Sequence, residues 1–129
     1  MAAGLIALTL AFPLAASADL IESFTAVSHG QEVYLQWATT QENGVSSFRV
    51  QRSFDGRYFH TLRSLAPTGN NSSYSYIDSD LFKSSLQTFY YRIEIEAANR
   101  RVSYSLVERV ELAFSGIRKT WGSIKAMFR

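Results

Sequence analysis

No cysteine occurs in the 129 residues. That one absence removes disulfides, thiolate metal sites and a cysteine nucleophile, and an exported protein of this sequence must hold its shape by its core. Histidine is nearly as scarce, with His29 and His60 alone. Both stand at polar or alternating positions, outside any Ser/His/Asp order or metal-ligand spacing. The sequence therefore offers no catalytic residue, no Cys or His metal site and no cofactor motif, and it reads as a protein that is not an enzyme. Long apolar runs are also few. Residues 2–16 are apolar and small, but this run is short against the ~20 residues of a membrane span, and Pro13 interrupts it.

The same run has the features of a secretory signal peptide, an apolar stretch ending in the small residues Ala16-Ser17-Ala18 before Asp19. It lacks a Lys or Arg ahead of the apolar stretch. The expectation is a signal helix over residues 1–18, cleaved after Ala18, with a membrane anchor as the alternative. Localisation would then be exported: periplasm, cell surface or extracellular.

Charge is unevenly placed. Residues 19–114 hold 9 basic and 11 acidic side chains, a net of −2, whereas residues 115–129 hold 4 basic side chains and no acidic one. The alkaline character belongs to the tail, which argues against a nucleic-acid-binding body.

Aromatics are what the sequence has in plenty, with 9 Phe and 7 Tyr, a composition that favours strands. The hairpin Ser47 to Phe59 is the clearest unit. Phe48 and Val50 alternate with Arg49 and Gln51, and Asp55-Gly56 predicts a tight type I′ turn with the return strand running from Arg57 to about Leu65. Ile21–Val27 predicts a first strand, and His29-Gly30-Gln31 a turn. Gln31–Thr39 alternates, with Val33, Leu35 and Trp37 on one face. Glu42-Asn43-Gly44 turns the chain. Tyr74, Tyr76 and Asp78 mark a short strand after a loop containing Pro67 and Gly69. Thr88–Ala97 is a second cleanly alternating strand, Asn99-Arg100 a turn, and Val102–Phe114 a last strand with a bulge.

Seven strands with turn signals every 8 to 12 residues predict an all-β, immunoglobulin-like sandwich. Its inner faces are expected to be Val33, Leu35, Trp37, Phe48 and Val50 against Tyr91, Ile93, Ile95, Tyr104 and Val107.

Several segments of this body, in order, resemble a known module: Leu35 to Asn43, Phe48 to Phe59, Tyr74 to Asp78, Tyr90 to Ile93, and Tyr104-Ser105. Together they resemble the fibronectin type III-like modules of secreted Bacteroidetes-type proteins, which typically precede a sorting domain for type IX secretion. The similarity runs from about Ser23 to Leu112 and is to the module without its sorting domain. The last hairpin departs from it, with Ala98-Asn99-Arg100-Arg101 in place of Asp-Gly. The resemblance implies a fibronectin type III-like sandwich over 19–114, and it implies that the Tyr91 hydroxyl ties down a neighbouring corner. It supplies no catalytic residues.

Four polar or aromatic features invite a functional reading. Arg52 shares a face with Phe48 and Val50 at a strand end, where it can pair with Glu42 or Asp78 or stay exposed. Asp78-Ser79-Asp80 offers oxygen ligands for a hard cation, or is a polar turn. Tyr34, Tyr58 and Tyr90 can stack on sugars, or form cross-strand pairs on a sheet face. Asn70-Asn71-Ser72-Ser73 contains glycosylation sequons, which in a bacterial setting are chance matches in a polar loop.

The tail is the most distinctive feature outside the core. Wound at 100° per residue, Ile117, Trp121, Ile124 and Phe128 fall within an arc of about 60°, with Arg118, Lys125 and Arg129 beside it. This predicts a basic amphipathic helix over 115–129. Its length of 15 residues makes it marginal alone in water, so it is expected to need a surface: a membrane, a protein partner, or its own sandwich. The sequence thus reads as a non-catalytic exported interaction or structural module of the bacterial cell envelope, or as a carbohydrate-binding or adhesion module using exposed aromatics.

Overall fold

The computed structural model describes residues 20–79, 81 and 87–112. Among them run eight strands: β1 (Ile21–His29), β2 (Glu32–Thr39), β3 (Val45–Ser53), β4 (Phe59–Leu65), β5 (Ser73–Asp78), β6 (Thr88–Ala97), β7 (Val102–Tyr104) and β8 (Glu108–Glu111). They form two antiparallel sheets. One has the order β1-β2-β5. The other has the order β4-β3-β6-β7, with β8 pairing β6 as well. The signal helix and the tail helix expected from the sequence fall outside the described residues.

Period-2 alternation drives this architecture. Val33, Leu35 and Trp37 on β2, and Phe89, Tyr91, Ile93 and Ile95 on β6, are all buried, while the residues between them face outward. Fully burying such side chains is worth about 1.5–3 kcal/mol each. Trp37 is 1% exposed. It stacks on Tyr74 with ring centroids 5.1 Å apart and lies 6.5 Å from Phe48. A bulge between Ile21 and Ser23 resets β1, so that both Ile21 and Phe24 pack against the core.

Four expectations are corrected. Phe48 and Val50 lie in the same sheet as Tyr91, Ile93 and Ile95, because β3 pairs directly with β6; alternation identifies a strand's buried face but not its neighbours. Tyr104 and Val107 are 44% and 46% exposed, and Val110 and Leu112 fill the core in their place. The single last strand is two strands, β7 and β8, which raises the count from seven to eight. The cause is Ser105: its Oγ accepts from the Ile93 N–H at 2.8 Å while its own N–H donates to the Ile93 carbonyl at 2.9 Å. A side chain takes a ladder position that a backbone carbonyl would fill, and residues 105–107 leave the sheet.

The fourth correction concerns the β3–β4 connection, which is a five-residue loop over 54–58 and not a two-residue turn. Only Gly56 has positive φ there, at 79°, so the two positive φ values of a type I′ turn are not met. The loop is held by side chains. The Asp55 carboxylate accepts from the N–H groups of Arg57 and Tyr58 at 2.8 and 3.0 Å and from the Ser53 hydroxyl at 2.9 Å. Ser53 Oγ in turn accepts from the N–H groups of Asp55 and Gly56.

Candidate functional site

A catalytic centre would draw on buried polar side chains, and here Asp78 and Glu42 are the buried carboxylates among the described residues. Asp78 closes β5 in one sheet, and Arg52 closes β3 in the other. Arg52 Nη1 donates to both Asp78 oxygens, at 2.9 and 2.8 Å, and the Tyr91 hydroxyl donates to Oδ2 at 2.8 Å. Asp78 is 2% exposed and the Arg52 side chain 15%. Of the readings open for Arg52, the pair with Asp78 is the one formed, and the exposed strand-end reading is overturned. Burial, with the Asp78 carboxylate beside it, pushes the Tyr91 hydroxyl well above the usual phenol range, so it stays a donor. Tyr91 does tie down a corner, and it does so through a carboxylate. With Asp78 committed to these partners, the cation reading of Asp78-Ser79-Asp80 loses its first ligand; Asp80 lies outside the described residues.

Glu42 makes the second polar knot. It sits in the loop that carries the chain from β2 to β3, from one sheet to the other. Its Oε1 accepts from the Gly69 N–H at 2.8 Å, and its Oε2 accepts from the Thr39 hydroxyl at 2.8 Å and closely from the Tyr74 hydroxyl. The Glu42 N–H donates to Asn70 Oδ1 at 2.7 Å. Burial pushes the Glu42 carboxyl up, but the bonds from Tyr74, Gly69 and Thr39 outweigh it and hold the group below its ordinary value. The 66–72 loop, which contains Pro67 and Gly69, is thereby fastened to the 40–44 loop. Neither knot leaves a carboxylate free to act as an acid, base or nucleophile.

The outer face of the larger sheet is charged and aromatic. Arg49 bonds Glu94 and Glu96, and Gln51 bonds Glu94 and Thr61. Arg92 lies between two rings, 4.0 Å from the Phe59 centroid and 3.8 Å from the Tyr104 centroid, with its Nε donating to Gln51 at 2.8 Å. Cation–π contact on both sides fixes Tyr104 on the outside of the sheet, which explains its absence from the core.

The broken strand leaves an apolar edge. Of the nine large apolar or aromatic side chains exposed among the described residues, four fall within residues 102–107: Val102, Tyr104, Leu106 and Val107. Leu106 is 84% exposed. Beside it a groove of about 230 Å³ runs between β1 and the β7–β8 connection, with Ile21, Phe24, Tyr104 and Leu106 as its apolar lining and Glu22 and Glu108 on its walls.

The residues singled out on sequence are scattered. The His29 ring lies tilted against Tyr34 with centroids 5.0 Å apart, and the His60 ring centroid lies 6.4 Å from that of Phe54. Tyr58 is exposed in the 54–58 loop, and Tyr90 packs over Gly56. Among the described residues, no cluster of three His, Asp or Glu side chains can hold a metal ion. The proposed tail contacts, Ile117, Arg118, Trp121, Ile124, Lys125, Phe128 and Arg129, lie outside the described residues. Sequence reading missed Arg92 and the 105–107 edge. Arg92 stood in an outward position of β6, but nothing local places Phe59 and Tyr104 on either side of it.

No protein-family model matches the chain, and no curated relative matches it. Its fold does match solved structures. A fibronectin type III-like protein from Clostridium thermocellum is similar at 22% identity and a TM-score of 0.50, over 70% of this chain and 88% of that one. Pectate lyase PelI from Erwinia chrysanthemi is similar at 18% identity and a TM-score of 0.54, over 67% of this chain and 26% of that one. A β-1,2-glucanase from Parabacteroides distasonis is similar at 17% identity and a TM-score of 0.51, over 75% of this chain and 14% of that one. The chain thus spans about a quarter of the pectate lyase's length and less of the glucanase's. At these identities the likeness establishes a fibronectin type III-like fold.

Proposed function

We propose that this protein is a non-catalytic, exported interaction module of the bacterial cell envelope. The observation that carries the reading is a contrast within the sandwich. Its buried charges are used up in the Asp78 and Glu42 knots, while exposed apolar side chains gather at residues 102–107. A surface of that kind suits contact with another macromolecule. In this reading the 1–18 segment is a signal peptide, and the body is a module of the kind found in secreted Bacteroidetes-type proteins, without their sorting domain. Ile117, Arg118, Trp121, Ile124, Lys125, Phe128 and Arg129 make contact with a protein partner or membrane surface.

The test is retention of the full chain on washed envelope preparations across a salt series. Retention that falls as salt rises, and is lost when Arg118, Lys119, Lys125 and Arg129 are all changed to Gln, is the expected result. Equal retention of both proteins, or none of either, would overturn the role of the tail.

A second reading is favoured by the enzymes whose chains contain a similar sandwich, a pectate lyase and a β-1,2-glucanase. Here the module binds carbohydrate through the outer face carrying Phe59, Arg92 and Tyr104 and through the exposed Tyr34 and Tyr58. A glycan array with folded protein tests it; absence of signal on every glycan removes the carbohydrate reading.

A further inference from the structure

One arginine on the outer face of the larger sheet is held on three sides. Rings cover both faces of the Arg92 guanidinium, with the Phe59 centroid 4.0 Å and the Tyr104 centroid 3.8 Å from its central carbon. Its Nε donates to Gln51 Oε1 at 2.8 Å. Gln51 is itself fixed: it is 5% exposed, and its Nε2 donates to Thr61 Oγ1 at 3.1 Å and to Glu94 Oε1 at 2.9 Å. The rings set the plane of the guanidinium, and Gln51 sets its rotation within that plane. The open side is the rim, with the four N–H bonds of Nη1 and Nη2.

The carboxylates of this face are committed elsewhere. Glu94 gives Oε2 to Arg49 and Oε1 to Gln51, and Glu96 gives Oε1 to Arg49. Glu111 pairs with Arg109. Arg92 belongs to none of the ion pairs among the described residues. It is a guanidinium already locked in place, with its in-plane fork open. That geometry receives a carboxylate through two parallel N–H···O bonds, and a side chain ordered beforehand loses little freedom on binding. One unpaired cation also matches a singly charged group better than a phosphate dianion.

The flanking rings narrow what can carry the carboxylate. Phe59 and Tyr104 stand on either side of the rim, and Tyr104 is 44% exposed. A group seated on the rim therefore rests against aromatic carbon. A uronic acid unit has both parts required, a carboxylate and a pyranose ring whose C–H bonds pack on aromatic rings. An acidic peptide side chain brings the carboxylate without the ring. We propose that Arg92, flanked by Phe59 and Tyr104, binds the carboxylate of a uronic acid unit in an acidic polysaccharide. This inference rests on the carbohydrate reading of the outer face, and it names the class of sugar.

Titration calorimetry on the full chain tests it, with hexamers of glucuronate, mannuronate and galacturonate, the same hexamers with their carboxyls reduced to alcohols, and a hexaglutamate peptide. The expected result is that at least one uronate hexamer binds, and that its reduced form and hexaglutamate bind about tenfold more weakly or not at all. R92Q is expected to lose about tenfold in affinity for that hexamer, and R92K, which keeps the charge without the fork, to lose several-fold. R109Q makes the same change of net charge on the neighbouring strand β8 and is expected to leave the affinity unchanged. Unaltered unfolding curves confirm that each variant is folded. Uronate binding that R92Q leaves intact, or that R109Q weakens as much, would overturn the site. Equal binding of hexaglutamate would assign the fork to carboxylates at large and overturn the sugar. Reduced hexamers that bind as well as the uronates would overturn this inference and leave the carbohydrate reading standing, whereas no binding of any hexamer, together with a silent glycan array, removes both.

Discussion

The hydroxyl of Tyr91, on β6 in one sheet, donates to Asp78 Oδ2 at the end of β5 in the other, at 2.8 Å, and Arg52 clamps the same carboxylate from the end of β3. The two sheets are bolted together at this point by a charge-assisted network. Tyr91→Phe removes one bond and leaves the ion pair, so the expected loss is about 1.5–3 kcal/mol. Asp78→Ala strands a largely buried guanidinium and is expected to cost about 3–5 kcal/mol. Urea unfolding of the two variants checks the order as well as the sizes; equal losses would mean that the ion pair adds nothing beyond the hydroxyl bond.

Trp37 is the largest side chain in the core and stacks on Tyr74. Trp37→Ala is expected to cost about 3–5 kcal/mol. The indole Nε1 is buried without a hydrogen-bond partner, so Trp37→Phe removes an unsatisfied donor together with some volume and is expected to cost clearly less. Denaturant midpoints of the two variants measure the difference.

The Glu42 knot has a pH signature. Its folded carboxyl is held below the ordinary value of 4.5 by the bonds from Tyr74, Gly69 and Thr39, against the upward push of burial. The folded state therefore takes up the proton less readily than the unfolded chain. The stabilisation is fully present above about pH 4.5 and fades as pH falls through the lower, folded value. Asp55 behaves in the same direction. Its carboxyl is pulled from 3.8 to about 2 by the N–H groups of Tyr58 and Arg57, so its contribution is lost between those values. Melting temperatures from pH 7 to pH 2 are expected to fall more steeply for the unaltered protein than for Glu42→Gln, whose curve starts lower and is flatter. Parallel curves would remove Glu42 from the account.

Gly56 sits at a φ of 79° in the 54–58 loop, and a Cβ there would meet the Tyr90 ring at 3.5 Å, an ordinary contact. The cost of Gly56→Ala is therefore one of backbone conformation, about 1–2 kcal/mol, read as a shift in unfolding midpoint without a change of slope. A much larger loss would mean that the Tyr90 ring cannot give way.

Much of this fold is legible in the sequence where one residue reports on one face. Alternation along β2 and β6 identifies Val33, Leu35, Trp37, Tyr91, Ile93 and Ile95 as core, because a half-buried strand has no other way to arrange them. What alternation lacks is long-range information. It cannot say that β3 joins the sheet of β6, so the division of the core between the sheets is not legible from it. Arg52 could be narrowed to two acidic partners on sequence, but the choice of Asp78 depends on where β5 ends relative to β3. The break at Ser105 depends on one hydroxyl replacing a backbone carbonyl, and the seat of Arg92 depends on the registers that place β4 and β7 either side of it. Both lie on the surface, where the candidate contact edge is.

The proposed function makes this stapled sandwich an exported module held at the envelope by a basic segment. Fractionation of native cells, with mass spectrometry of both chain termini, tests it most directly. The expected result is a chain that starts at Asp19, ends at Arg129, sediments with the envelope at low salt and is released at high salt. An intact chain starting at Met1 in the soluble cytoplasmic fraction would contradict it.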